Sequence, residues 1–267
     1  MNIEYFLATH SGLFWICIIV PALFALAGVF ITRVMMGREH AQGHHNMANA
    51  IIGPIATIFG ILGAFIVATT WNQYATTAVN INQEAQSLHS LYLNAEAFSP
   101  EFCKDTRALC LLYRKAVLQH EWKIIDQETD TLAGNEVLKN LFRLYTSYQI
   151  KNNTELAFFQ LNIQCLCKLK DLRQQRLDDA STGLLPLLWI LFLLGGIILV
   201  MISFIMINSS AITHATMVML IAIVIGAMIY AIISLDFPFV GPAEISKKPF
   251  LMIMQDDQGI KNPPQRN

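Results

Sequence analysis

The sequence predicts an all-α membrane protein: four transmembrane helices, with a cytosolic helical bundle between the second and third spans. Three observations carry this. Four windows contain no Asp, Glu, Lys or Arg and are long enough to cross a bilayer core of roughly 30 Å, which takes about 20 helical residues. Charge is unevenly placed: 25 of the 37 charged side chains lie between Asn72 and Thr182, and the other 156 residues hold only 12. Between the windows, apolar residues return at three- and four-residue spacing with no strand-like alternation. A charged fraction of 14%, against about 25% in soluble domains, excludes an ordinary soluble enzyme, a disordered chain and a basic nucleic-acid module. The net charge of −1 gives no hint of polyanionic partners.

The first window runs from Phe6 to Thr32, with its best part at 13–32. The others span about 48–71, 184–207 and 212–235. No Lys or Arg precedes the first apolar run, so it reads as a span and not as a cleaved signal. Trp15, Trp71, Trp189 and Tyr230 fall near span ends, where interfacial aromatics belong. With both termini inside, the inner face holds the insert with Lys168, Lys170, Arg173 and Arg176, and also Lys247, Lys248, Lys261 and Arg266. The outer face then holds Arg33 and Arg38, and no cation in the Asn208–Ala211 turn. This bias predicts cytosolic termini and a cytosolic insert, in a bacterial inner membrane. The chain accordingly divides into a hairpin at 1–71, the insert at 72–182, a hairpin at 183–240 and a cytosolic tail at 241–267, peripheral or loosely held after Lys247.

The insert reads as helices throughout. From Asn72 no Gly or Pro appears before Pro100, and Ile81, Ala85, Leu88, Tyr92 and Ala95 keep helical spacing. The second span is therefore expected to continue to about Phe98. Ser99-Pro100-Glu101 reads as an N-cap with proline at N1. It opens a helix to about Trp122 with a stripe of Phe102, Leu109, Leu112, Tyr113 and Ala116. Asp126–Asn135 is polar and reads as a loop. Helices are expected at Glu136–Lys151 and Asn153–Ser181, the latter with Leu156, Phe159, Ile163, Leu166, Leu169, Leu172 and Arg176 along one side. Thr182-Gly183-Leu184-Leu185-Pro186 permits a bend into the third span.

Three stretches resemble a known family. They are Phe59-Gly60-Ile61-Leu62-Gly63-Ala64-Phe65 continuing through Trp71 and Tyr74 to Glu84-Ala85; Arg173-x-x-Arg176-Leu177 with the following Leu185-Pro186-x-x-Trp189; and Leu235-Asp236-Phe237-Pro238-Phe239-x-Gly241. Together with the span spacing they resemble the bestrophin-like family of four-span membrane proteins over most of residues 1–250. Bestrophins proper, to which that family is distantly similar, are pentameric anion channels with a pore lined by the second span and an apolar neck. The resemblance thus implies a homo-oligomeric channel and slightly favours an anion. No acidic cluster of the calcium-clasp kind stands in this sequence.

The second span is small-faced, with Gly53, Gly60 and Gly63 beside Ala56, Ala64 and Ala68. Small residues let transmembrane backbones approach closely. They serve either packing within the chain or an oligomer axis lined by this helix. On the second view Ile58, Leu62 and Phe65 form an apolar constriction that gates by dewetting, with Thr57, Thr69 and Thr70 as its polar neighbours. Asp236, ending the fourth span, is expected at the cytosolic interface, either paired with Arg173 or Arg176 or capping a helix, or else on the ion path at the cytosolic mouth. Glu84 is either an interhelical acid or one member of a charged ring at the inner mouth.

The remaining chemistry is sparse. The five cysteines form no C-x-x-C pair or zinc spacing and read as free thiols. Glu39, His40, His44 and His45 read as a polar loop in preference to a metal site, since Gly37 and Gly43 interrupt them. No Ser/His/Asp set, H-E-x-x-H, P-loop or G-x-G-x-x-G occurs, so no catalysis, cofactor or metal is expected. The leading reading is a homo-oligomeric ion channel, a cyclic pentamer or tetramer in contact with lipid and inorganic ions. A non-conducting scaffold or sensor, whose insert docks a protein partner, is the rival.

Overall fold

The computed structural model describes residues 12–36, 41–123, 132–205 and 210–252, with no strand among them. The helices are α1 (Leu13–Met36), α2 (Ala41–Asn94), α3 (Pro100–Gln119), α4 (Leu132–Thr146), α5 (Asn153–Ser181), α6 (Pro186–Ile205), α7 (Ala211–Asp236) and α8 (Lys248–Met252). One-turn 3-10 helices follow α2 at Ala95–Ala97 and α3 at Glu121–Lys123. Helices long and apolar enough to cross a membrane lie within Leu13–Met35, Ala50–Ala97, Asn153–Ile205 and Ala211–Asp236, overlapping the four windows of the sequence. The described residues form two compact units, within Met1–Tyr74 with Gly183–Ala243 and within Ala75–Thr182 with Glu244–Asn267.

In the first unit α1 packs along α7. Pro21 lies inside α1 and has no N–H to give the Cys17 carbonyl four residues back. That carbonyl faces Gly226 of α7, where any Cβ would collide with it. The sequence thus sets a helix crossing too close for a side chain. Phe59 of α2 stacks on Phe192 of α6, with ring centroids 5.0 Å apart. It also fills the notch left by Gly195, where a Cβ would come within 3.0 Å of the ring. Around this pair Ala25, Val29, Ile66, Leu199, Val200, Phe204, Val218, Ala222 and Ile225 make the core. The outside is apolar too: Trp15, Leu23, Phe30, Ile190, Ile212 and Val224 are more than half exposed. Water penalises so large an apolar surface, whereas lipid does not.

The second unit is organised by α2 and α5. Thr77 donates to Asp179 at 2.7 Å, Arg176 to Glu84 at 2.7 Å, and Asn94 to Asn162 at 2.9 Å. As the numbers rise on one helix they fall on the other, so the two are antiparallel. On α2 the seam is Thr77, Ile81, Glu84, Leu88, Leu91 and Ala95, all at most 1% exposed. Their alternating spacing of four and three is that of a heptad seam. On α5 the buried set is Glu155, Asn162, Leu166, Leu169, Leu172, Arg173 and Arg176. Expected stripe members Leu156 and Leu112 are exposed instead; on α5 the polar Glu155 and Asn162, each with hydrogen-bond partners, take buried positions.

The local starts and stops follow known chemistry. The Asn152 side chain accepts from the Glu155 N–H at 2.8 Å, and Glu155 in turn accepts from the Lys151 N–H at 2.9 Å and the Asn152 amide. This reciprocal cap fixes the start of α5. Pro100 opens α3 as expected, although the Ser99 hydroxyl makes no capping bond. α4 begins at Leu132, inside the segment that reads as a loop, and ends at Thr146. The tail is not loosely held through Met252: Phe250 is fully buried and meets Trp122 edge-on at 6.2 Å. Glu39 and His40, and the side chains of His44 and His45, lie outside the described residues.

Gly226→Ala puts a methyl group against the Cys17 carbonyl, so α1 and α7 must separate. Thermal unfolding in detergent should show a loss of about 1–3 kcal/mol, the usual range for overpacking.

Candidate functional site

Two places gather the candidate residues. The first is the face of α2 within the membrane unit. Among the described residues, no other element comes within 4 Å of where a Cβ would stand at Gly53 or Gly60. Gly63 differs: a Cβ there would collide with Met228 and come within 3.1 Å of Phe192. Packing within the chain therefore accounts for Gly63 and leaves the other two glycines open. Beside them Ile58, Ile61 and Phe65 are 67%, 66% and 61% exposed. Leu62 is turned partly away from this face and packs against the core cluster. At 100° per residue Ile61 lies closer to Phe65 on the open side than Leu62 does. The apolar trio on the open face is thus Ile58, Ile61 and Phe65, with Leu62 giving up its expected place to the core.

The polar members of α2 are satisfied locally. Thr57 donates to the Gly53 carbonyl and Thr69 to the Phe65 carbonyl, each at 2.9 Å, and both threonines are exposed. Thr70 is buried and donates to the Ile66 carbonyl at 3.0 Å. The open face from Gly53 to Thr69 is therefore uncharged, small or apolar, with two hydroxyl groups. Asp236 sits elsewhere in this unit. Its Oδ1 accepts from the Leu184 N–H at 2.7 Å, two residues before α6, and Gly183 lies tight against its Oδ2. A carboxylate at the entry of a helix satisfies free amides and opposes the helix dipole.

The second place is a buried charge network in the other unit. Arg176 binds both carboxylate oxygens of Glu84, through Nε at 2.7 Å and Nη2 at 3.2 Å. Its Nη2 also reaches Glu121 at 2.7 Å. Arg173 binds Glu121 with Nη2 at 2.6 Å and Nε at 3.1 Å. The Tyr113 hydroxyl donates to Glu84 at 2.6 Å. Two positive and two negative groups, all nearly or fully out of water, thus neutralise one another. Burial and the Glu84 charge push the Tyr113 hydroxyl well above its ordinary value, which keeps it a proton donor. Burial also pushes the Cys110 thiol up to about 12, so it is an inert member of this core.

Glu84, Arg173 and Arg176 are brought together here as interhelical pairs, and a fully buried Glu84 has no surface to offer a ring of charge. Glu121 is the member that sequence reasoning missed. It follows α3 in a polar stretch and has no helical period to mark it. Charge balance was the available signal: two arginines on an otherwise apolar face need a second acid. Gly134 lets the start of α4 come close to the Glu121 carboxylate, which a Cβ there would meet.

Four apolar helices around an aromatic core, with a charge-neutral helical unit beside them in sequence, define a polytopic helical membrane protein. The family model for the Bestrophin-like domain matches residues 18–250, and the chain belongs to that family. The matched range includes the open face of α2, both arginines and the Asp236 turn. Neither a curated protein nor a solved structure matches the chain.

Glu121→Gln should cost about 3–5 kcal/mol in urea or thermal unfolding, because it removes one carboxylate from a buried two-arginine network. Tyr113→Phe removes a single hydrogen bond to a charged group and should cost less, about 1.5–3 kcal/mol.

Proposed function

We propose that this protein is a homo-oligomeric ion channel, with copies of α2 around an axial pore and the apolar residues of its open face as the gate. The observation that carries this reading is the uncovered strip of Gly53, Thr57, Gly60, Ile61, Ala64, Phe65 and Thr69. A small-faced, uncharged helix is suited to close approach between copies and to a narrow path between them. Membership of the Bestrophin-like family supports a channel-like role, and the resemblance to bestrophins proper slightly favours an anion. Cyclic closure with four or five subunits gives each copy the same neighbour. We place the protein in a bacterial inner membrane and, on the cationic bias of the span ends, its termini and insert in the cytosol. We assign it no catalytic step or cofactor, and place Asp236 as a helix cap near the cytosolic end.

A scaffold that docks a protein partner is the second reading. Leu111 and Leu112, adjacent and about half exposed on α3, favour it. Purified protein in planar bilayers under asymmetric salt separates the two: a channel gives unitary currents with a defined reversal potential, and a scaffold gives none.

Two substitution pairs test the details. Phe65→Ala or Ile61→Ala should widen an apolar ring and raise conductance or open probability. Leu62→Ala should mainly cost stability, about 2–5 kcal/mol at most for a half-buried leucine. Equal current from all three would remove these residues from the pore. Gly60→Leu should leave the folded chain intact but disperse the oligomer, read as detergent-complex mass. Gly63→Leu should instead lower the unfolding temperature, because its clash lies within one chain.

A further inference from the structure

We propose that residues 244–252 form a strap that seats Glu121 between the two arginines, so the buried charge network has a release built into the fold. Trp122 follows Glu121 within a single 3-10 turn, Glu121–Lys123. So short a helix has little stability of its own, and side chains on its two sides set its position. On one side Glu121 bridges Arg173 and Arg176. On the other, the strap grips Trp122 in three ways. The indole N–H donates to Glu244 at 3.2 Å. The fully buried Phe250 ring meets the indole edge-on at 6.2 Å. The Lys247 ammonium stands 5.8 Å from the indole centroid and pairs with Glu244 at 2.9 Å.

Glu121 and Trp122 are neighbours in one turn, so neither moves without the other. Lifting the strap frees the indole, and the turn then withdraws a carboxylate from both arginines. The cost of leaving buried guanidinium groups short of charge makes this a two-state element and not a gradual one. Any ligand that binds residues 244–252, or competes with them for Trp122, would shift that equilibrium. This inference concerns the second unit alone and stands whether or not the protein conducts ions.

Hydrogen exchange of the full chain in detergent tests it. Phe250→Ala should raise exchange about tenfold at residues 119–123 and in α5 around Arg173 and Arg176, a change within what truncating a buried phenylalanine supplies. α1 and α7 should stay as in the parent. In a Glu121→Gln background, adding Phe250→Ala should still loosen 119–123 but change α5 no further, because the carboxylate it would withdraw is already neutral. Extra exchange confined to 244–252 would overturn the proposal. So would an α5 response of the same size with and without Glu121. If Phe250→Ala does not accumulate, Phe250→Leu is read by the same criteria, at smaller amplitude.

Discussion

The Glu121 carboxylate, held between Arg173 and Arg176, is the constraint on which the helical unit depends. Moving a guanidinium from water into a protein interior costs several kcal/mol, even after relaxation. Only close, directed partners offset that cost. Arg176 obtains them from α2 through Glu84 and from the 3-10 turn through Glu121, while Arg173 shares Glu121. The three segments must therefore hold their places together. An apolar seam would tolerate sliding by a heptad. Thr77 with Asp179, Glu84 with Arg176, and Asn94 with Asn162 match in one register only.

The membrane unit solves a different problem by different means. Lipid gives apolar side chains no reason to leave it, so the helices associate through shape. The contacts reflect this: Gly226 against the Cys17 carbonyl, Gly63 under Met228, and Phe59 in the notch at Gly195. Several polar groups are tied to nearby backbone, as Thr57, Thr69 and Ser203 are to their own helices. The charged groups are tied to backbone as well: Asp236 accepts from the Leu184 N–H just ahead of α6, and Arg33 donates to the Ser210 carbonyl. Gly241, at φ 82°, turns the chain after α7 in a conformation that disfavours residues with a side chain. The chain then runs on into the strap.

This division bears on the channel reading. Among the exposed surfaces of the membrane unit, α2 carries a strip that is small-faced as well as uncovered. Among the described residues, no other element closes on Gly53 or Gly60, whereas Gly63, three residues on, lies against Met228 and Phe192. Two glycines with no role inside one copy are suited to a role between copies.

The sequence by itself determined the helices and the apolar spans. Charge-free windows and unbroken helical spacing are local properties, and backbone hydrogen bonding in lipid leaves few alternatives. The start of α5 at Asn153 and the proline-led start of α3 were legible for the same reason. The seam was legible only where it was apolar. Ile81, Leu88, Leu166 and Leu169 announced themselves, but nothing local marked Thr77 or Asn162 as buried or decided between the two roles open to Glu84, because burial of a polar group depends on a partner far along the chain. Glu121 had no local mark at all. Leu62 and Ile61 are neighbours of the same character, and only packing against α6 and α7 decided which of them faces the core. What is set by a residue and its near neighbours could be read from the sequence, while what is set by pairing across 50 to 100 residues was decided by the tertiary structure.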